Sequence, residues 1–256
     1  MSPSATPLSA GNDLSGRKAL VTGASRGIGA AIALALAARG ADVAITYERS
    51  ADQAQALVRD IQAMGRTAVA LQANSADADA AERSVKAAAE ALGGLDILVN
   101  NAGIARGGPL ESMSVEDIDA LIGVNIRGVI LTTRAAIPLL SDGGRIINIG
   151  SCLAERVAMP GISVYSMTKS ALVALTKGLS RDLGPRGITV NVVQPGSTDT
   201  DMNPADGPGS ADQLSGMSLK HYGTGEDIAG MVVFLAAPTG RQITGARFTV
   251  DGGANA

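Results

Sequence analysis

The 256-residue chain has 21 Lys and Arg against 24 Asp and Glu, a net charge of −3, and 46% hydrophobic residues. This composition is typical of one large folded domain and argues against a disordered chain. The sequence has no basic block, which argues against a nucleic-acid partner, and no run of about 18 apolar residues that would predict a membrane span. The single Cys152 excludes an internal disulfide and, with no secretory signal, favours the cytoplasm.

The first fifteen residues are rich in Ser, Pro, Ala and Gly and predict a flexible arm, followed by one catalytic domain over residues 16–256. In that domain short apolar runs alternate with longer helical patterns. The seven predicted strands are Lys18–Thr22, Asp42–Tyr47, Ala68–Gln72, Asp96–Val99, Arg145–Ile149, Thr189–Val193 and Arg247–Val250. The six predicted helices are Gly27–Arg39, Ala51–Met64, Asp77–Leu92, Ser114–Leu140, Val164–Leu183 and Glu226–Ala236.

This alternation predicts an α/β fold, a single Rossmann-type doubly wound sheet of seven parallel strands flanked by helices. Continuous Val, Ile and Leu strands are typical of parallel sheets buried on both faces. Right-handed crossovers then place a ligand at the carboxyl ends of the strands. The segment 196–225 is rich in Pro, Gly, Asp and Ser and is long for a connection. It predicts a substrate lid, with disorder as the alternative.

Tyr165 and Lys169 are four residues apart on a predicted helix and therefore lie on one face. A free phenol has a pKa of about 10 and is a poor base near neutral pH. A nearby ammonium would lower the pKa of the phenol towards the range in which it exchanges a proton during turnover. Such pairs also occur on solvated helices, so the pair indicates catalysis only together with other motifs.

A glycine-rich turn follows the first predicted strand and leads into a helix. Glycines permit a tight turn and bring backbone N–H groups against a pyrophosphate at the helix N-terminus. The strand before the turn and the helix after it favour dinucleotide binding over a purely structural turn. The predicted cofactor-binding residues of this turn are Gly23, Ser25, Arg26, Gly27, Ile28 and Gly29.

Together these motifs resemble the short-chain dehydrogenase/reductase family, and the resemblance runs from about residue 15 to the end of the sequence. The glycine motif of that family is matched by Gly23, Gly27 and Gly29. Its Tyr-x-x-x-Lys motif is matched by Tyr165 and Lys169. The remaining matches, in the order in which the family has them, are Asn100-Asn101-Ala102-Gly103, Asn125, Ser151 and Pro195-Gly196.

The resemblance implies hydride transfer between a nicotinamide and a carbonyl or secondary alcohol. In that scheme Tyr165 protonates the forming alkoxide, and Ser151 donates a hydrogen bond to the substrate oxygen, with Ser163 in reserve. Lys169 would lower the pKa of Tyr165 and bind the nicotinamide ribose, while Asn125 would hold a helix distortion and a water. The further cofactor contacts that the resemblance implies are Asn74, Ser75, Asn101, Ala102, Gly103, Pro195, Gly196 and Thr198.

The end of the second strand bears on the choice between NADP(H) and NAD(H). NAD-dependent members place an Asp there for the ribose hydroxyls, whereas this chain has Tyr47. Arg26 and Arg49 are suited to pair with a 2′-phosphate, with Ser50 adding a hydrogen bond. Glu48 argues the other way unless it points outward. NADP(H) is therefore favoured, and NAD(H) is the alternative.

Within the family, the chain looks most like the 3-oxoacyl-[acyl-carrier-protein] reductase branch. Arg127, Lys177 and Arg181 offer cations for an acidic carrier protein, but residues 138–144 lack the basic cluster often found there. The expected substrate is therefore a small-molecule ketone or alcohol, free or bound to an acyl carrier protein. No metal site is expected.

A second hypothesis is a nucleotide-binding regulator with little or no turnover. The segment 198–208 and the motif order also resemble a biofilm-dispersal member of the family that is proposed to bind a cyclic dinucleotide. The presence of the proton-relay residues favours the enzyme, because a sensor needs no relay. The extended sugar-nucleotide epimerase branch is disfavoured, because little sequence follows the seventh strand.

The long helices predicted at 114–140 and 164–183 carry more apolar residues than one face can bury against a sheet. In the family these helices pair across a two-fold axis, so a homotetramer is expected. His221, the only histidine, is expected on the surface or in the substrate loop.

Two features near the predicted site are expected to have structural rather than catalytic roles. Cys152 is expected to be buried and inert, with thiol sensitivity beside Ser151 as the alternative. Asp199 and Asp201 are expected to be turn residues rather than a catalytic carboxylate pair.

Overall fold

A computed structural model describes residues 13–256 of the chain. One sheet of seven parallel strands has the order β3-β2-β1-β4-β5-β6-β7, which confirms the predicted doubly wound α/β fold. The strands are β1 Lys18–Val21, β2 Asp42–Tyr47, β3 Ala68–Gln72, β4 Leu95–Asn100, β5 Leu140–Ile149, β6 Thr189–Pro195 and β7 Arg247–Val250.

Helices cover both faces of the sheet. They are α1 Gly27–Ala38, α2 Ala51–Ala63, α3 Ala78–Leu92, α4 Val115–Ile122, α5 Val129–Ala136, α6 Ser163–Asp182, α7 Ser210–Ser215 and α8 Gly225–Ala236. None of these described helices has the length and apolar character that a membrane crossing requires.

Side chains of each strand alternate between two apolar cores, because successive strand residues point to opposite faces of a sheet. In β1, Ala19 and Val21 belong to the core formed with α1, α2 and α8. Leu20, between them, belongs to the core formed with α3, α5 and α6. Burial of both faces leaves the carboxyl edge of the sheet as the place where loops can form a site.

The predicted continuous helix over residues 114–140 is wrong. It divides into α4, a wide π turn over Gly123–Gly128, and α5, and Leu140 already begins β5. A Cβ on Gly128 would lie 2.5 Å from the carbonyl oxygen of Ser75, so only glycine fits this close approach. The wide turn contains Asn125, where the family resemblance implied a distortion. Such turns are often found at functional sites.

The predicted arm falls mostly on residues 1–12, which lie outside the described residues. Residues 13–15 are part of the folded domain. Leu14 is 1% exposed, and its N–H donates to the carbonyl of Arg39 at 3.0 Å. Asp13 forms an ion pair with the Arg39 guanidinium at 3.1 Å. These contacts hold the chain before β1 against the end of α1.

The segment 196–225 is more regular than its composition predicted. It contains the short helix α7, and Thr198 forms a parallel bridge with Gly223 that closes the segment at its base. Gly196 lies against the chain after β7, since a Cβ there would be 2.5 Å from Asp251 Cα. The segment therefore begins from a fixed point at the carboxyl edge of the sheet.

Candidate active site

The predicted catalytic side chains come together beyond the carboxyl ends of β4 and β5. Ser151 follows β5, and α6 carries Tyr165 and Lys169. The Lys169 Nζ lies 5.9 Å from the centroid of the Tyr165 ring. A Cβ on Gly103 would lie 3.2 Å from that Nζ and 3.3 Å from Asn125 Oδ1. All four predicted catalytic residues thus border one small region.

The Ser151 hydroxyl is held in a defined orientation. Its side chain is buried, and its Oγ accepts a hydrogen bond from the backbone N–H of Leu153 at 3.2 Å. Because the oxygen is engaged as an acceptor, its proton is available for another acceptor. Ser163, the reserve candidate, is exposed at the first residue of α6. The geometry therefore favours Ser151 as the donor beside Tyr165.

The predicted lowering of the Tyr165 pKa by Lys169 is wrong for this structure. Burial raises the pKa of the Tyr165 phenol, a hydrogen bond with the Ser151 side chain lowers it, and Cys152 raises it further. Burial also lowers the pKa of Lys169 to about 8, and its Nζ donates to the carbonyl of Ile149 at 3.1 Å. Desolvation of both groups outweighs the attraction that their spacing suggested. The phenol is therefore a neutral proton donor, and the amine is a stronger acid than an ordinary lysine.

Asn125 joins the wide turn to two neighbouring elements. It is fully buried, and its amide donates to the carbonyl of Ile104 at 2.9 Å and to Thr168 Oγ1 at 3.1 Å. Its Oδ1 accepts from the N–H of Ile104 at 2.9 Å. The Thr168 hydroxyl in turn donates to the carbonyl of Tyr165. Asn125 thus fixes the loop after β4 and the helix that carries Tyr165 relative to each other.

The glycine-rich turn fits closely against the loop after β4. Gly23 has a φ of 61°, and a Cβ there would lie 2.8 Å from Ala102 Cα. A Cβ on Gly29 would lie 2.5 Å from Asn101 Nδ2. That amide donates to the carbonyls of Thr22 and Gly23 at 2.9 Å each. The two glycines are therefore required by packing before any ligand is considered.

The first turn of α1 can receive an anion. Arg26, at the N-cap position, makes no side-chain capping bond. The N–H groups at this helix end, beside the half-buried Ser25 and the exposed Gly27, are suited to bind a phosphate. Ile28 differs from the other predicted contacts, since its side chain packs against the apolar core. The turn fits the dinucleotide expected from its sequence.

The end of β2 presents one exposed cation. Arg49 is 88% exposed and lies 3.4 Å from Glu48, so the carboxylate that argued against NADP(H) is directed towards a neighbouring guanidinium. Tyr47 and Ser50 are half-buried beside it. Arg26 forms an ion pair with Asp201 at 3.0 Å. Both arginines expected at a 2′-phosphate are accessible but already paired with carboxylates.

The remaining predicted cofactor residues lie at the same edge of the sheet. Asn74 Oδ1 accepts from the N–H of Ala76 at 2.9 Å, so part of its acceptor capacity is engaged within the loop after β3. Ser75, next to it, borders the wide turn. Beyond Pro195 and Gly196, the buried Thr198 donates its hydroxyl to the carbonyl of Gly196 at 3.1 Å. This internal hydrogen bond leaves the Thr198 side chain poorly suited to bind a ligand.

Sequence reasoning missed the contact between the segment 196–225 and the glycine-rich turn. A Cβ on Gly27 would lie 3.5 Å from Thr200 Cγ2, and Asp201 pairs with Arg26. The expected turn role fits Asp199, whose Oδ1 accepts from the N–H of Ala205, but does not describe Asp201. The only signal in the sequence was a pair of opposite charges 175 residues apart.

Two further predictions concern single residues. Cys152 is buried, and burial raises the pKa of its thiol to about 11, with Asp251 adding to the effect. This confirms that Cys152 is buried, and the raised pKa favours an unreactive thiol. His221 is exposed, as expected, and its Nδ1 lies 3.0 Å from the carbonyl oxygen of Tyr222.

The arrangement can reduce a carbonyl group. Two neighbouring hydroxyls, those of Ser151 and Tyr165, can reach one substrate oxygen, where negative charge develops when a hydride adds to carbon. The glycine-rich turn, whose helix end is suited to bind a phosphate, packs against the loop after β4 at the same edge of the sheet. In the reverse direction the same groups can remove a proton from an alcohol.

Comparisons with known proteins agree with this geometry. A family model described as Enoyl-(Acyl carrier protein) reductase matches residues 23–255. The chain is 44% identical to a cyclic-di-GMP-binding biofilm dispersal mediator protein of Escherichia coli, over 93% of this chain and 96% of that protein. It is 44% identical to a 3-oxoacyl-[acyl-carrier-protein] reductase of Synechocystis, over 94% and 97% of the two chains.

A solved structure of a short-chain dehydrogenase from Burkholderia cenocepacia in complex with NADP superposes with a TM-score of 0.95. Its sequence is 59% identical, and the match covers 96% of this chain and 100% of that one. The motifs, the fold and these matches together show that the chain belongs to the short-chain dehydrogenase/reductase family of oxidoreductases.

Proposed function

We propose that this protein is an NADPH-dependent reductase that transfers a hydride to a ketone, or from the corresponding secondary alcohol in reverse. The observation that carries the proposal is the orientation of Ser151. Its Oγ is engaged as an acceptor by Leu153 N–H, which leaves its proton to donate beside the neutral phenol of Tyr165. A binding protein without turnover would have no need for two convergent hydroxyl donors.

In the proposed reaction, NADPH supplies the hydride when it is bound. Ser151 donates a hydrogen bond to the carbonyl oxygen and stabilises the charge that develops there. Tyr165 transfers its proton to the same oxygen as the alkoxide forms. Lys169, whose pKa is lowered to about 8 by burial, is then a suitable acid to return a proton to the phenolate. Asn125 holds the loop after β4 against the helix that carries Tyr165 and Lys169.

The accessible guanidinium groups of Arg26 and Arg49 support NADP(H) as the cofactor. Arginine pairs well with the planar oxygens of a phosphate group, and the 2′-phosphate is the feature that separates NADP(H) from NAD(H). The bound NADP in the Burkholderia cenocepacia relative supports the same choice. NAD(H) remains the alternative cofactor.

A free ketone is better supported as the substrate than a 3-oxoacyl group bound to an acyl carrier protein. Near the start of β5, within the residues 138–144 where a basic cluster was sought, the Asp142 side chain is 78% exposed and pairs with Arg186 at 2.8 Å. Lys177 and Arg181, suggested as carrier-docking cations, lie about 18 and 24 Å along α6 from Tyr165, at 1.5 Å per residue. Both residues therefore lie towards the end of α6 that is remote from the site. Arg127 donates to the carbonyl of Ala76.

The test is the decrease in NADPH absorbance with a panel of free ketones and 3-oxoacyl thioesters. Tyr165→Phe should abolish turnover, and Ser151→Ala should reduce it about a hundredfold or more, as expected for a lost donor to a developing oxyanion. Ser163→Ala is the matched control and should retain activity. Equal loss in both serine variants, or full activity in Tyr165→Phe, would contradict the proposal.

The second candidate is a nucleotide-binding regulator, and the named activity of the Escherichia coli relative favours it. Titration with a cyclic dinucleotide in the presence and absence of NADPH tests this function directly. Tight binding without turnover of any substrate in the panel would support the regulator. Turnover that depends on Tyr165 would support the enzyme.

We also propose that the segment 196–225 is a substrate lid and that the protein assembles as a homotetramer. Contact between Thr200 and the glycine-rich turn supports the lid. Large apolar side chains remain exposed on α4, α5 and α6, which supports assembly through these helices. They are Val115, Ile122, Ile130 and Met167. The cytoplasm remains the predicted compartment.

A further inference from the structure

The turn that directly follows Ser151 decides where the serine hydroxyl points. A short 3-10 helix covers Cys152–Ala154, and the Leu153 N–H at its centre is the donor that fixes Ser151 Oγ. The carbonyl of Cys152 closes this turn, because it accepts from the N–H of Glu155 at 3.1 Å and of Arg156 at 3.4 Å. Any movement of this carbonyl would move the hydroxyl that the proposed reaction uses.

A segment far along the chain binds the same carbonyl. Asn255 donates its side-chain amide to the carbonyl oxygen of Cys152 at 2.8 Å. A second bond runs in the opposite direction, from the Arg156 guanidinium to the carbonyl of Ala254, also at 2.8 Å. The two bonds clamp the serine turn across about 100 residues of sequence.

The position of Asn255 is itself fixed. The carboxylate of Asp251 accepts from the N–H of Gly253 at 2.9 Å and from the N–H of Asn255 at 3.0 Å, which bends the chain after β7. The same stretch of chain also binds the segment 196–225, because the Gly252 carbonyl accepts from the N–H of Leu219 at 2.8 Å. Gly252 has a φ of 61°, and a Cβ there would lie 2.6 Å from Met217 Cε. Residues 251–255 are therefore held by the segment 196–225 as well as by the serine turn.

We propose that Asn255 is a positioning residue that anchors the turn after Ser151 and thereby orients the serine hydroxyl towards the substrate. Its consequence for turnover rests on the proposed reductase function, whereas its structural role does not. The amide is suited to this task because it donates to a carbonyl without adding a charge beside the buried Cys152 thiol. The Asn255 side chain donates to the Cys152 carbonyl and not to Tyr165 or the glycine-rich turn, so its effect reaches the site through the turn after Ser151.

Cys152 provides a direct measurement of the turn, because it is the only cysteine in the chain and is 7% exposed. Its modification by N-ethylmaleimide should be slow in the unchanged protein. Asn255→Ala should increase the rate about fivefold, as expected for the loss of one ordinary hydrogen bond. Asn255→Leu is similar in size, cannot donate a hydrogen bond and adds no charge beside the thiol, so it should behave like Asn255→Ala.

The matched control is Ser218→Ala. Ser218 donates to the carbonyl of Gly253 at 3.3 Å, so this variant removes a bond to the same segment without touching the serine turn. Its thiol reactivity should be unchanged. In the Asn255 variants kcat should fall by up to about fivefold, the equivalent of one ordinary hydrogen bond, because the serine hydroxyl is less well oriented, while the dissociation constant of NADPH stays constant.

The outcomes separate the two proposals. Unchanged thiol reactivity in both Asn255 variants overturns the anchoring role, whatever happens to activity. Faster modification with an unchanged kcat overturns the orientation of Ser151 by this anchor. If the unchanged protein reduces none of the ketones while the Asn255 variants still expose the thiol, the reductase function fails and the anchor stands.

Discussion

Arg26 and Asp201 form an ion pair of 3.0 Å between the glycine-rich turn and the segment 196–225, although 175 residues separate them in the sequence. Both side chains are more than half exposed. Arg26 is also one of the two arginines proposed to bind the 2′-phosphate of NADPH. Under that proposal, a protein carboxylate and a cofactor phosphate would compete for one guanidinium.

Replacing the carboxylate should tighten the binding of NADPH. Exposed ion pairs contribute about 0.2–1 kcal/mol, so Asp201→Asn should lower the Michaelis constant for NADPH by a factor of about 1.5 to 5. The constant for NADH should change little, and steady-state kinetics with both cofactors measure the difference. Asp206→Asn removes the same charge from the same segment and is the control. An equal decrease for NADH would show that Arg26 does not distinguish the cofactors.

Removal of the other arginine should act in the opposite direction. Arg49→Ala deletes an exposed cation at the end of β2 and should raise the Michaelis constant for NADPH far more than that for NADH. Arg59→Ala, an exposed arginine on α2, is the matched control for the loss of charge. Equal effects of Arg49→Ala on both cofactors would rule out a phosphate contact.

Two helical glycines should respond differently to alanine. In Gly29→Ala the new methyl group would lie 2.5 Å from Asn101 Nδ2 and displace the amide that holds the glycine-rich turn. We expect a loss of about 1–3 kcal/mol in unfolding free energy, together with weaker nucleotide binding. Gly178→Ala, in α6, meets nothing within 4 Å and should gain about 0.5–1 kcal/mol. Urea unfolding of the two variants measures the contrast. Equal stabilities would contradict the proposed contact.

Buried Lys169 should make stability depend on pH. Its pKa is lowered from 10.5 to about 8, so between these values the unfolded chain binds more protons than the folded one. Stability should therefore rise from pH 8 to pH 10.5, and the cost of burying the charge is fully present below pH 8. Lys169→Met should remove this cost, worth up to about 3 kcal/mol, at neutral pH.

Urea unfolding without nucleotide, at several pH values from 7 to 10, tests this expectation. The difference between Lys169→Met and the unchanged protein should shrink as the pH rises. Lys177→Met changes an exposed lysine of the same helix and should keep the pH dependence of the unchanged protein. A difference that stays constant across this range would show that Lys169 has an ordinary pKa.

Much of the fold could be predicted because strand hydrophobicity and turn glycines are local signals. The bounds of β2, β3 and β7 agree with the prediction, as does the parallel arrangement. The start of β5 could not be predicted, because Leu140 joins the sheet only through pairing with Leu95 of another strand. The wide turn at 123–128 depends in the same way on contacts with distant backbone, so helical periodicity passes through it unchanged.

The motif residues of the site could also be placed from the sequence, but their electrostatics could not. Spacing alone put Tyr165 and Lys169 on one face, whereas the sign of the pKa effect depends on how completely the surrounding elements exclude water. The distant residues that contact the site could not be predicted from the sequence either. Asp201 reaches Arg26, and Asn255 reaches Cys152, through tertiary contacts that leave no mark on the local sequence.

The π turn makes this part of the chain intolerant of changes in length. It holds one residue more than the same rise of α-helix would contain, and that extra residue lets Asn125 face Ile104. A one-residue deletion here would let the helix close into ordinary α-helix and would remove the wide turn that places Asn125 beside Ile104 and Thr168. Length variation in related sequences should therefore avoid residues 123–128 and concentrate in the surface loops.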